Sequence, residues 1–152
     1  MLLTTARTVA TGVGAGRFPR APGTFASALA ALVGAGLVAI SPAAVAAAAV
    51  GCCAAGVWAL TELRPEGDPG WVVIDEIAGQ LVALLGLARP AWPGILAAFL
   101  LFRAFDIAKP GPVGWLDRKE GPLGVMGDDI AAGLMTAAVL ALVRWRLPGL
   151  LE

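Results

Sequence analysis

The chain has 152 residues, no histidine, and 11 basic residues balanced by 11 acidic ones. That length is one domain's worth of chain, and a net charge of zero without a basic tract excludes the electrostatic footprint of a nucleic-acid-binding protein. Hydrophobic residues make up 59% and charged residues only 14%, against about 25% charged in an ordinary soluble domain, which points to lipid or to an unusually apolar helical protein.

The start, MLLTTARTVATGVGAGR, has an early Arg7 but neither a clear h-region nor a cleavage site, so no cleaved signal peptide is expected. Residues 1–24 read as an N-terminal loop. From Phe25 to Leu63 the only charged residue is Glu62, and Ser41-Pro42 splits this stretch into helices over roughly 25–40 and 43–61. Each is close to the ~20 residues that cross a bilayer, the first being short. Cys52 and Cys53 are adjacent, cannot readily bridge each other, and read as small packing residues. After the turn-forming EGDPG, helices are expected over roughly 72–88 and 92–108, broken at Arg89-Pro90, with a fifth over roughly 127–145. Alanine and leucine dominate and period-two alternation is absent, which favours helix over strand. The expectation is a single all-α domain over 1–152, a compact bundle embedded in membrane by four or five apolar helices in close contact. A soluble domain of Ala-rich helices is the competing reading.

If every apolar segment crosses, residues 1–24, 62–74 and 106–127 share one side. That side then carries eight basic residues, Arg7, Arg17, Arg20, Arg64, Arg103, Lys109, Arg118 and Lys119, with only Arg89, Arg144 and Arg146 opposite. The positive-inside rule makes it the cytoplasmic side of a multi-pass inner-membrane protein. Trp71, Trp92, Trp115 and Trp145 flank the apolar segments, as interfacial residues do.

The same topology brings six carboxylates to that surface: Asp75 and Glu76 in WVVIDEIAGQ, Asp106 in FRAFDIAKP, Asp117 in WLDRKEG, and Asp128 and Asp129 in GVMGDD. Acids beside such apolar runs must face water, a cation or a hydrogen-bond partner. Asp75 and Glu76, and likewise Asp128 and Asp129, read as helix-start acids that the helix dipole tolerates. Asp106 falls at a helix end, where an acid opposes the dipole. Metal coordination explains it, and so does a salt bridge to Lys109. Adjacent helical residues diverge by ~100°, so one member of each pair is expected to face a central site and the other a second ion, a water or a basic group. An all-oxygen donor set suits Mg²⁺, and the lack of histidine and of spaced thiolates nearly excludes zinc. Within GVGAGRFPRAPGTFAS the glycines can turn backbone N–H groups toward a phosphate, Arg17 and Arg20 can pair with its oxygens, and Thr24 or Ser27 can cap the following helix or touch substrate. The loop lacks the lysine and spacing of a Walker motif.

These strings carry a resemblance. GAGRFPRAPGTFAS, VVIDEIAGQ and FRAFDIAKPGPVGWLDRKEGPLGVMGDDIAAG resemble bacterial phosphatidylglycerophosphatase A over nearly the full length. The resemblance implies an all-helical enzyme that removes the terminal phosphate of phosphatidylglycerophosphate with Mg²⁺. It also implies roles for Asp75, Glu76, Asp106, Lys109, Asp117, Arg118, Asp128 and Asp129. Two positions depart from the family pattern: Ala26 and Pro122 stand where the family has glycine, and both read as changes of loop shape that leave the acids intact.

The expected chemistry is hydrolysis of a phosphate monoester of a membrane phospholipid. Asp75 or Glu76, Asp106, and Asp128 or Asp129 hold one or two Mg²⁺ ions, while Arg17, Arg20, Lys109 and Arg118 bind phosphoryl oxygens. Attack by water and an aspartyl-phosphate on Asp106 or Asp128 both remain open. Alternatives are a phosphatase for another phospholipid phosphate, a phosphatidyl transferase, whose DGxxAR element is missing here, and a divalent-cation transporter, which would place acids near the bilayer midplane.

Overall fold

The computed structural model describes residues 1–67 and 69–152; Asp68, inside the turn read at EGDPG, lies outside them. Among the described residues every regular element is helical. The order is α1 (Leu2–Ala10), a 3₁₀ turn (Ala15–Arg17), α2 (Pro22–Ile40), α3 (Pro42–Leu63), α4 (Ile74–Leu84), α5 (Trp92–Ala108), α6 (Pro112–Asp117) and α7 (Pro122–Arg146). Proline opens α2, α3, α6 and α7, where its fixed φ suits the first turn and its missing N–H has no partner to lose. Ser41 caps α3 by accepting from the Ala44 N–H at 3.0 Å.

Several expected boundaries shift. The N-terminal 24 residues are not a plain loop: they hold α1 and the 3₁₀ turn, and Ala6 and Ala10 of α1 are buried against the core. The helix expected at 72–88 is shortened to the 11 residues of α4. At its start Val73 donates to the Ala10 carbonyl, which holds the chain out of helix, and beyond Leu84 tight turns through Leu85–Leu87 end it. The last helix begins at Pro122 rather than near 127, and α6 precedes it.

Three helices, α2, α3 and α7, are long and apolar enough to cross a membrane. At 17 and 11 residues, α5 and α4 extend only about 26 and 16 Å, short of a ~30 Å hydrocarbon core. Leu29, Leu32 and Val33 on α2, Leu96 and Leu100 on α5, and Leu134 and Leu142 on α7 are all exposed. An apolar outer surface of this extent suits lipid, not water.

At the centre sits α4, with nine of its eleven residues buried. It packs against α2, α3 and α5, and most extensively against α7. A Cβ on Gly133 of α7 would stand 2.4 Å from the Gly79 carbonyl oxygen, and one on Gly79 2.6 Å from that of Asp129. The two backbones touch, which only residues without side chains permit. Close approaches also fix the direction of each helix. Gly23 meets Glu76, Gly56 meets Met126 and Ile74, and Gly79 meets Phe102 at one end; Gly34 meets Leu84, Gly86 meets Ala137 and Gly94 meets Leu151 at the other. The starts of α2, α4 and α7 and the ends of α3 and α5 therefore share one end of the bundle, the arrangement the loop alternation implies.

Candidate active site

Asp75 and Glu76 occupy the first turn of α4, as expected. Asp128 and Asp129 do not begin their helix. They lie two turns inside α7, both buried, so the helix-start explanation does not apply to them. Asp75, Glu76 and Asp129 each place a carboxylate oxygen within 4.8 Å of the other two. Both members of the first pair thus reach one site, against the expected divergence: residues 75 and 76 sit in the opening turn, and the long Glu76 side chain brings its Oε1 against Gly23 of α2. Asp75 Oδ1 accepts from the Glu76 N–H at 3.0 Å. Among the described residues Glu76 Oε2 and Asp129 Oδ1 are buried without a hydrogen-bond partner. Burial first, and then the charge and hydrogen bond of Asp75, raise the Glu76 carboxyl well above the ordinary carboxylate range, with Arg103 opposing.

Asp128 turns the other way, as adjacent helical residues should. Its Oδ2 accepts from Lys109 Nζ at 2.6 Å, and the same amine pairs with Asp117. Lys109 closes α5 in the left-handed region, φ +48, its N–H donating to the Phe105 carbonyl. The turn redirects the chain into α6 and leaves the amine between two acids from different helices. Burial lowers the Lys109 pKa, but its hydrogen bonds to Asp117 and Asp128 outweigh that and raise it above the ordinary lysine value. Asp106 takes its positive charge from Arg103, one turn earlier on α5, not from Lys109. Arg103 is not among the expected site residues, although its i,i+3 spacing to Asp106 suits such a pair.

The first half of the glycine loop is tied together by its own backbone. Every backbone N–H from Gly12 to Phe18 donates to a carbonyl of residues 8–15, so this part of the loop offers no free amide to a phosphate. Gly16 serves packing, since a Cβ there would stand 2.1 Å from the Trp71 carbonyl oxygen. Neither Thr24 nor Ser27 caps α2; Ser27 is buried and donates to the Gly23 carbonyl of its own helix at 2.8 Å. Arg17 and Arg20 remain exposed at the acid end of the bundle. There a polar cavity of about 490 Å³ is lined by Asp117, Arg118, Lys119, Glu120 and Asp128 among others. It shares Pro65, Gly67, Gly121 and Val125 with an apolar cavity of about 260 Å³ that reaches Leu60.

The model of a family described as phosphatidylglycerophosphatase A matches residues 8–144, an interval that holds all of these side chains. The chain belongs to the phosphatidylglycerophosphatase A family. Two phosphatidylglycerophosphatases A are similar over 82 residues, or 53% of this chain: that of Escherichia coli at 38% identity and that of Haemophilus influenzae at 42%. The matched stretch spans 48% and 50% of their respective lengths. A Bacteroides thetaiotaomicron protein named "Putative phosphatidylinositol-3-phosphatase" is 37% identical over 147 residues, covering 90% of this chain and 92% of its own. No solved structure matches the chain at a significant level. The two departures from the phosphatidylglycerophosphatase A pattern now have places in the fold. Pro122 opens α7. Ala26 is not in a loop, but buried inside α2.

Proposed function

We propose that this protein is a Mg²⁺-dependent lipid phosphatase that hydrolyses the terminal phosphate monoester of phosphatidylglycerophosphate, giving phosphatidylglycerol and inorganic phosphate at the cytoplasmic face of the inner membrane. The observation that carries this reading is the cluster of Asp75, Glu76 and Asp129 in a chain of this family. Its donor set fits the ion: all three side chains offer carboxylate oxygens, and among the described residues Glu76 Oε2 and Asp129 Oδ1 are buried without a hydrogen-bond partner. Mg²⁺ held there would neutralise phosphate charge and activate a water.

The remaining work falls to the chain's own side chains. Lys109, its pKa raised, keeps its proton at physiological pH and serves as a fixed positive charge rather than a general acid. It holds Asp128 and Asp117 in place at the polar cavity, where Arg118 and Lys119 offer donors for phosphoryl oxygens. The adjoining apolar cavity suits the flexible part of an amphiphile, and the acyl chains stay against the exposed leucines of the bundle. Hydrolysis breaks the P–O bond to the glycerol oxygen, forms one to the oxygen of water, and returns a proton to the leaving alcohol. Direct attack by water, and attack by Asp106 or Asp128 followed by hydrolysis of the aspartyl-phosphate, lead to the same products.

A second reading, a 3-phosphate on an inositol lipid, is favoured by the Bacteroides relative, which matches over nearly its whole length. Phosphate release from a panel of phosphatidylglycerophosphate, phosphatidylinositol 3-phosphate, phosphatidic acid and diacylglycerol pyrophosphate decides between them. Phosphatidylglycerophosphate is expected to be fastest, with EDTA abolishing release. A faster rate on the inositol lipid reassigns the substrate, and cation flux into liposomes without phosphate release replaces the phosphatase by a transporter.

A further inference from the structure

Gln80 is wholly buried, and neither its amide nitrogen nor its amide oxygen has a hydrogen-bond partner among the described residues. An apolar helix core has no use for such a group, because burying an amide without partners costs free energy that leucine or methionine would not. Its position is informative. It stands four residues after Glu76 on α4, hence on the same face one turn deeper, and helical side chains lean toward the preceding turn. Its neighbour Gly79 lies against the Asp129 carbonyl on one side and Phe102 on the other, which puts this turn of α4 at the junction with α5 and α7.

The unpartnered atoms at this junction form a matched set. Glu76 Oε2, Asp129 Oδ1 and Gln80 Oε1 are acceptors; Gln80 Nε2 and the Arg103 Nε and Nη1 are donors. Arg103 Nη1 makes an ion pair with Asp106 but lacks hydrogen-bond geometry to it. These donors and acceptors come from three helices and do not satisfy one another. A small molecule that both donates and accepts would satisfy both kinds of atom, and water has that chemistry.

From this we infer that Gln80 is a positioning residue: it forms the floor of the acid cluster and holds an ordered water against the cation that Asp75, Glu76 and Asp129 bind. The inference rests on the metal-site reading proposed above. Its amide reaches the carboxylates through water while carrying no charge, so it orients the ligand shell without adding to the repulsion among the acids.

Gln80→Met, of nearly equal volume, removes both polar atoms. Mn²⁺ binding to the detergent-solubilised protein, followed by electron paramagnetic resonance, is expected to weaken 10–100-fold, and the broadening of the Mn²⁺ signal in ¹⁷O-water is expected to change. The metal-free protein should melt at the same temperature as wild type or higher. Unchanged Mn²⁺ affinity and an unchanged water signature overturn the inference, whatever the melting temperature. If Gln80→Met does not fold, Gln80→Glu serves instead: a carboxylate at the floor should tighten Mn²⁺ at least 10-fold, and unchanged affinity overturns the inference. Asp129→Asn separates the two levels. Equal Mn²⁺ affinity in wild type and Asp129→Asn removes the ion from the cluster and Gln80's role with it; loss in Asp129→Asn beside an unaffected Gln80→Met removes the role of Gln80 alone.

Discussion

The two ends of the bundle are built on opposite principles. At the end remote from the acids, Val38, Val45, Leu84, Leu87, Ile95, Leu140 and Leu151 form one aliphatic cluster. Its polar groups are partnered: Arg144 donates to the Gly86 carbonyl at 2.8 Å, and Arg89 pairs with Glu152 in the open. At the acid end, buried carboxylates crowd one another, and among the described residues two of their oxygens, Glu76 Oε2 and Asp129 Oδ1, have no hydrogen-bond partner. Among the described residues the four non-glycine residues with positive φ, Val13, Ala21, Arg64 and Lys109, all lie on the segments that meet at this end. One end is arranged for stability, and the other retains positive-φ backbone and, among the described residues, buried polar atoms without a hydrogen-bond partner.

The comparison fails if substitutions at the two ends have the same consequences. The largest effect on turnover is expected for Asp129→Asn: phosphate release should fall by ~10³-fold or more, since the side chain keeps its volume and loses its charge. Removing one of several crowded like charges should leave the melting temperature unchanged or raise it. A large stability loss with turnover per folded molecule intact would assign Asp129 to the fold instead.

Lys109→Met should affect both quantities. It leaves Asp128 buried and unpaired at a cost of about 2 kcal/mol, less than the ~3–5 kcal/mol of a fully buried pair because the lysine is partly exposed. Turnover should fall ~10²-fold. Adding Asp128→Asn should recover the stability without the activity, and a double-mutant cycle in denaturant measures the coupling.

Leu84→Ala tests the aliphatic end. It should destabilise by about 3 kcal/mol through cavity formation, while turnover and Mn²⁺ affinity of the folded fraction stay at wild-type values. The smallest effect is expected for Arg89→Ala, whose ion pair with Glu152 is exposed: under ~0.5 kcal/mol in chemical denaturation and no change in phosphate release.

The long helices were legible because Ala- and Leu-rich runs bounded by proline have few other structures open to them, and α2, α3 and α5 lie close to their expected bounds. The shortness of α4 was not legible. Its apolar run continues through Leu87, and what ends it is tertiary: turns that fit the close passage of Gly86 over Ala137 of α7. The six acids were found because charge stands out against such a background. Their partners were not, because pairing depends on which way a side chain leaves its helix. Lys109 was equally available to Asp106 by spacing, and only the left-handed turn after Ala108 sends it to Asp117 and Asp128. Gln80 is not among the expected site residues. Its placement on the Glu76 face at i+4 was the available signal.

The touching backbones of Gly79 and Gly133 bear on ionic size. They hold α4 and α7 at a separation that no other residue pair allows, and the span between Asp129 on one helix and Asp75 and Glu76 on the other is set by that separation. Small differences in span matter to a hard cation, since Mg²⁺ requires oxygens at about 2.0–2.1 Å and Ca²⁺ accepts about 2.3–2.6 Å in looser shells. If the acids hold Mg²⁺ as proposed, the methyl of Gly133→Ala, by pushing the helices apart, should shift preference toward Ca²⁺. The glycine pair would then act as a gauge of ionic radius, placed one turn below the acids it spaces.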